Sequence, residues 1–90
     1  MQITFDPTKR NTTLRERGLD FAEAAEVFDG TVFEFVDDRQ DYGEMRIITI
    51  GKLRGRMVVL VWTDRETGRH IISMRKANDR EQKRYEARLG

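Results

Sequence analysis

Met57-Val58-Val59-Leu60-Val61-Trp62 is the stretch that decides the fold of this 90-residue chain. Its residues are all apolar and three of them are β-branched, a pattern that favours a strand covered on both faces. A helix of that length would be too short. Residues 45–53 before it and residues 70–75 after it predict the two neighbouring strands. The chain is therefore expected to build a sheet around residues 57–62.

The remaining elements follow from short local signals. Ile3 and Phe5 predict an edge strand, and Asp6 followed by Pro7 is typical of a helix start. Asn78 with Glu81 three residues later predicts a capping box at the start of the last helix. The predicted strands are 3–5, 32–36, 45–53, 57–62 and 70–75, and the predicted helices begin after Asp6, Asp20 and Asn78.

These elements predict one small α+β domain that spans residues 1–90, in the order β-α-α-β-β-β-β-α. We expect an antiparallel meander sheet packed on one face by the two N-terminal helices. Strict alternation along the last strand would place Arg75 with Ser73 on one face and His70 on the other. Tyr85 and Leu89 are the only sizeable apolar residues of the final helix, which predicts weak docking.

Composition excludes several classes of chemistry. The chain has no cysteine, which rules out disulfides, thiol catalysis and thiolate metal sites. With a single histidine, His70, a zinc site would have to be built from carboxylates, and we predict no metal and no cofactor. The N-terminus has no signal-like region and no stretch approaches the roughly 20 apolar residues of a membrane span, so we predict a cytoplasmic protein.

The net charge of +1 conceals a strong segregation. Residues 20–44 carry nine acidic and one basic side chain, whereas residues 65–90 carry eight basic and four acidic ones. Such blocks are either solvated faces of separate elements or two surfaces for partners of opposite charge.

Several motifs in one order resemble the BrnT family of bacterial toxins over nearly the whole chain. The resemblance implies a RelE-like fold, a ribonuclease activity that arrests growth, and an antitoxin partner of the ribbon-helix-helix DNA-binding type. The chain departs from the family pattern at three places: Glu16-Arg17 stands where the family commonly has Lys-His, Thr13 where an asparagine is frequent, and His70 where an arginine is frequent. The matching motifs are Phe5-Asp6-Pro7 with Lys9, Gly18 with Phe21, residues 23–28, Asp38-Arg39, Tyr42-Gly43-Glu44 with Arg46, Ile50-Gly51, Thr63 with Arg65, residues 71–77, and Glu81 with Tyr85.

Cleavage of RNA without a metal needs a base near the 2′-hydroxyl, cations on the phosphate and an acid for the leaving oxygen. Arg46, Arg75 and Lys76 are the best phosphate ligands by this criterion, because each is expected at the end of a strand. Glu44 and His70 are the candidate bases. We predict a catalytic set of Arg46, Arg75, Glu44 and His70, with Lys9, Arg65, Lys76 and Tyr85 as RNA-binding residues.

We therefore predict a toxin that cleaves RNA and inhibits translation and growth, with DNA contacted only through its antitoxin. The alternative is a catalytically inactive module that binds the antitoxin for autoregulation of the operon. The replacement of the family's common Lys-His by Glu16-Arg17 is consistent with such a loss of catalysis. A third possibility is RNA binding without cleavage. Glu44 and Arg46 can also form a simple cross-strand ion pair, and Arg75 and Lys76 can instead bind acidic residues of the antitoxin.

Overall fold

A computed structural model describes residues 2–90 as one α+β unit with a five-stranded sheet. The strand order across the sheet is β1-β5-β4-β3-β2, so β4, the strand that contains the predicted central stretch, is at its centre. The elements in chain order are β1 (Ile3–Phe5), α1 (Pro7–Arg17), a 3₁₀ turn (Phe21–Glu23), α2 (Ala24–Asp29), β2 (Phe33–Val36), β3 (Ile47–Leu53), β4 (Arg56–Arg65), β5 (Gly68–Lys76) and α3 (Asp79–Leu89).

The sheet is mixed, which corrects the predicted antiparallel meander. Strands β2 to β5 do form a meander of antiparallel neighbours. However, β1 pairs with β5 in parallel, with Ile3 beside Arg69 and Phe5 beside Ile71. No hairpin joins β1 to β5, so no tight turn obliges them to run in opposite directions. The order of elements also differs from the prediction, since a 3₁₀ turn precedes the second helix.

The first face of the sheet packs against the 3₁₀ turn and α2. Phe21, Ala24 and Val27 are buried there against a group from the strands that includes Leu60 and Met74. Helix α1 buries no side chain of its own. The sequence predicts that both N-terminal helices cover this face. The core on this face instead depends on the short helix α2 far more than on α1.

The second face is covered by α3, which corrects the prediction of a sheet packed on one face only. Tyr85 and Leu89 are both buried against residues such as Ile50 and Val59. The Tyr85 ring also packs against Phe33, with 5.2 Å between ring centroids. Although α3 has few apolar residues, both of its large ones, the two predicted anchors, reach this second core.

The start of α3 is built as its sequence predicts. The Asn78 side chain accepts a hydrogen bond from the Glu81 backbone, and the Glu81 carboxylate accepts one from the Asn78 backbone. This capping box is confirmed. None of the helices in residues 2–90 is long and apolar enough to cross a membrane.

A β-bulge in β5 changes which side chains share a face. Val61 pairs with Ser73 and Trp62 pairs with Ile71, so Ile72 is an extra residue in β5. His70 then pairs with Thr63, which places it on the same face as Ser73 and on the α3 side of the sheet. The predicted separation of His70 from Arg75 is wrong, because strict alternation does not survive the extra residue.

Candidate functional site

A cationic groove of about 300 Å³ runs between the second face of the sheet and α3, and we call it the helix groove. Glu81, Arg84 and Tyr85 line it from one side of α3, as the 3.6-residue helical period requires. Its sheet wall is apolar except at Ser73 and Arg75. The charged residues that line it are Arg39, Arg75, Arg80, Arg84 and Glu81. Four guanidinium groups against one carboxylate make this groove attractive to a polyanion.

Arg75 is held at the centre of the groove by Glu81. Its two terminal nitrogens each donate to one Glu81 carboxylate oxygen, both at 2.8 Å. This bidentate pair raises the pKa of Arg75 and lowers the pKa of Glu81. Glu81 stays anchored by the α3 cap, so the pair fixes where the Arg75 guanidinium lies.

Arg39 is held at the rim of the groove by a buried carboxylate. Asp37 accepts hydrogen bonds from Arg39 Nε and Nη2, each at 2.7 Å, and a longer one from the Tyr42 hydroxyl at 3.2 Å. The bonds from the Arg39 side chain are the main cause that lowers the pKa of Asp37 to about 2. Asp37 therefore remains ionised at neutral pH and orders the connector between β2 and β3.

Five predicted site residues gather beyond one end of the helix groove, and we call them the histidine cluster: Lys9, Glu44, Arg46, Arg65 and His70. His70 Nδ1 lies 2.9 Å from the Thr4 hydroxyl oxygen across the β1–β5 pair. Burial is the first cause that lowers the pKa of His70, followed by the charge of Arg65. The charge of Lys9 adds to the shift, whereas the carboxylates of Glu44 and Asp6 oppose it. The imidazole is therefore predominantly neutral at pH 7.

Glu44 joins the two arginines of the histidine cluster. Its carboxylate oxygens lie 3.6 Å from Arg46 Nε and 3.5 Å from an Arg65 terminal nitrogen. The Arg46 guanidinium also lies over the Tyr42 ring, 4.1 Å from its centroid. Arg46 Nε is buried and has no hydrogen-bond partner among the described residues. The Glu44 carboxylate oxygen at 3.6 Å is too far from it for a hydrogen bond.

The structure divides the predicted site residues into three places. Lys9, Glu44, Arg46, Arg65 and His70 are in the histidine cluster. Arg75 and Tyr85 line the helix groove, where Tyr85 is only 8% exposed. Lys76 lines a different groove, on the far side of α3. Within residues 2–90, no group of three or more acidic or histidine side chains could hold a metal ion.

Sequence reasoning missed residues that the fold brings to these places. Arg80 and Arg84 belong to a helix whose basic character was visible, and their spacing of four residues is the signal that they share a side. Arg39 and Thr4 gave no such signal, because a connector loop and a parallel edge strand position them.

The comparison with family models gives a match over most of the chain. The model described as a ribonuclease toxin, BrnT, of type II toxin-antitoxin systems matches residues 5–81. This range contains the whole histidine cluster and ends in the first turn of α3, before Arg84 and Tyr85. A search of curated proteins finds no match.

Proposed function

The chain belongs to the BrnT family of ribonuclease toxins of type II toxin-antitoxin systems, and we propose that it is a metal-independent endoribonuclease that inhibits translation. The observation that carries the proposal is the position of the neutral His70, within a cationic cluster and on the same sheet face as the groove arginines. A base and phosphate ligands thus share one surface that is open to a single strand of RNA.

In the proposed reaction the 2′-oxygen of a ribose attacks the adjacent phosphorus, and the bond from phosphorus to the 5′-oxygen of the next nucleotide breaks. His70 Nε2 accepts the proton of the 2′-hydroxyl, since Nδ1 is already beside Thr4. The leaving 5′-oxygen takes a proton from a group of the cluster or from water. The products are a 2′,3′-cyclic phosphate and a free 5′-hydroxyl.

Arg46 and Arg65 are the proposed ligands of the reacting phosphate. Both lie beside Glu44, which holds the two guanidinium groups close together. Charge that develops on the phosphate oxygens would then be stabilised by guanidinium groups that are already in place. Glu44 has the role of holding them and is the second candidate for the base.

The helix groove is the proposed binding site for the rest of the strand. Arg75, Arg80 and Arg84 would contact phosphates on one side of the cleaved bond. Arg84 also lies over the Tyr85 ring at 5.6 Å, which orients its guanidinium. Single-stranded nucleic acids bind such positively charged channels with little sequence preference.

The proposal is tested by incubating purified protein with labelled RNA and a chelator. The parent should cleave, whereas Arg46→Ala and Arg75→Ala should not. Arg75 also stabilises α3 through Glu81, so its replacement can affect folding. Arg84→Gln is the variant that weakens RNA binding in the helix groove with the least effect on folding. Arg15→Gln, on the exposed side of α1, removes the same charge elsewhere and should cleave like the parent. Thermal unfolding of every variant shows whether lost cleavage is lost folding.

A catalytically inactive module that binds the antitoxin is the second candidate function. Its support is that Arg39 and Arg75 are both already paired with carboxylates and so are not free phosphate ligands. A folded parent that binds its antitoxin tightly but leaves RNA intact, with and without ribosomes, would favour this function.

Membership of a type II toxin-antitoxin family implies an antitoxin partner. We propose that it is a ribbon-helix-helix protein and that the complex acts in the cytoplasm. The acidic residues of 20–44 are suited to basic residues of that antitoxin. Mixing the two purified proteins at rising salt tests this, because a charge-dependent complex should weaken as salt increases.

A further inference from the structure

A second groove, larger and more open than the first, lies on the other side of α3. Its volume is about 690 Å³, and it is bounded by α3, the end of β5 and the hairpin between β3 and β4. The charged side chains that line it are Lys52, Arg56, Lys76, Lys83 and Glu86. Like the helix groove, it contains four cations and one carboxylate.

Most of this positive charge is unpaired. Lys52 Nζ lies 2.9 Å from Glu86, so these two residues neutralise each other. Arg56, Lys76 and Lys83 form no ion pair with any residue in the described range 2–90. Three unpaired cations around one concave surface create a positive potential that favours an anionic chain over a neutral ligand.

The two grooves are adjacent, because α3 forms a wall of each. Arg84 and Tyr85 face the helix groove, whereas Lys83 and Glu86 face the second groove, as their positions on the helix require. Strand β5 also contributes to both. Arg75 lines the helix groove and the next residue, Lys76, lines the second groove. The two grooves therefore flank the same β5–α3 junction, and a strand of RNA that crosses this junction would contact both.

We propose that the second groove binds backbone phosphates of the same RNA strand, outside the nucleotides that occupy the helix groove. This inference rests on the proposed function, since it takes RNA as the substrate. An acidic segment of a partner protein is the competing ligand. RNA is favoured because the two cationic grooves are adjacent, with α3 as a wall of each, and because the buried Met57 and Ala77 are the only apolar side chains lining the second groove.

The test measures binding of uncleavable 2′-O-methyl RNA, so it does not depend on catalysis. Two fluorescent oligonucleotides are used, of about 4 and about 16 nucleotides, the range of sites known for single strands. The variant Arg56→Gln/Lys83→Gln removes two cations of the second groove that make no ion pair within residues 2–90. Arg15→Gln controls for a loss of charge elsewhere, and Arg84→Gln identifies binding in the helix groove.

The parent should bind the longer oligonucleotide more tightly and with a steeper dependence on salt. Each lost phosphate contact lowers the slope of log K against log salt by about 0.7 for a single strand, so the double variant should lower it by about 1.4. Binding of the short oligonucleotide should be unchanged in the double variant and weakened in Arg84→Gln.

Two results would overturn the inference. One is that the double variant binds the long oligonucleotide with the parental affinity and slope. The other is that the double variant loses binding of an oligoglutamate peptide while RNA binding is unaffected, which identifies a protein ligand. A parent that binds both oligonucleotides as expected but does not cleave unmodified RNA would contradict the proposed function alone.

Discussion

Replacing Asp37 by asparagine tests the buried ion pair that orders the connector between β2 and β3. The Asp37 side chain is 1% exposed and accepts two short bonds from Arg39. A pKa lowered from 3.8 to about 2 corresponds to at most roughly 2.5 kcal/mol of stability at neutral pH. Because the Arg39 side chain is 71% exposed, solvent screens the pair, and we expect a loss of about 1 kcal/mol.

The loss should depend on pH in one direction. The carboxyl of Asp37 has a lower pKa in the folded protein than in the unfolded chain, so its contribution is complete above about pH 5 and is lost as pH falls towards 2. Near pH 3 about half of the contribution should remain. Urea unfolding of the parent and Asp37→Asn at pH 7 and pH 3 measures this.

Asp38→Asn is the matched control, since it makes the same change at an exposed neighbour and should unfold like the parent at both pH values. An equal loss of stability at pH 7 and pH 3 in Asp37→Asn would refute the reasoning, because the effect would then not come from ionisation. Asp37→Asn should also cleave RNA more slowly, since the Asp37 backbone N–H donates to the Arg46 carbonyl and the same connector carries Tyr42.

Three further predictions concern the cores and the histidine cluster. Thr49→Val should destabilise the fold by about 1–3 kcal/mol in urea unfolding, because the buried Trp62 Nε1 now donates to the Thr49 hydroxyl at 2.7 Å and would lose its acceptor; stability equal to the parent's would show that water replaces that bond. Gly51→Ala should cost about 1–3 kcal/mol by the same measurement, since its Cβ would lie 2.7 Å from a Val27 methyl carbon; an unchanged midpoint would mean that α2 shifts freely. Cleavage by the parent should fall at acid pH with an apparent pKa below 6.5, where His70 becomes protonated; the same acid limb in His70→Gln would exclude His70 as the base.

The sheet and its central strand were predictable from the sequence because they depend on local patterns. The apolar run at 57–62, the two hairpins and the Asn78 cap are each specified by neighbouring residues. The parallel pairing of β1 with β5 was not, because it joins opposite ends of the chain. Burial of Tyr85 and Leu89 on the second face also depends on partners that are distant in sequence.

The candidate site was predictable as a set of residue types but not as an arrangement. Arg46 is predicted as a strand-end phosphate ligand, Glu44 as a base and Arg65 as an RNA-binding residue, and the fold brings them within ion-pair distance. The position of His70 depends on the bulge at Ile72, which alternation cannot reveal. Glu81 both caps the start of α3 and holds the Arg75 guanidinium in the helix groove. This single side chain therefore serves folding and the proposed binding of RNA.

The most direct test of the proposed reaction is to identify the ends of the RNA fragments made in the presence of a chelator. Attack by the 2′-oxygen predicts a 2′,3′-cyclic phosphate and a 5′-hydroxyl, and predicts that 2′-O-methyl RNA is not cleaved. The same fragments should be absent with Arg46→Ala. Fragments that end in a 3′-hydroxyl and a 5′-phosphate, or cleavage only after a divalent metal is added, would contradict the account.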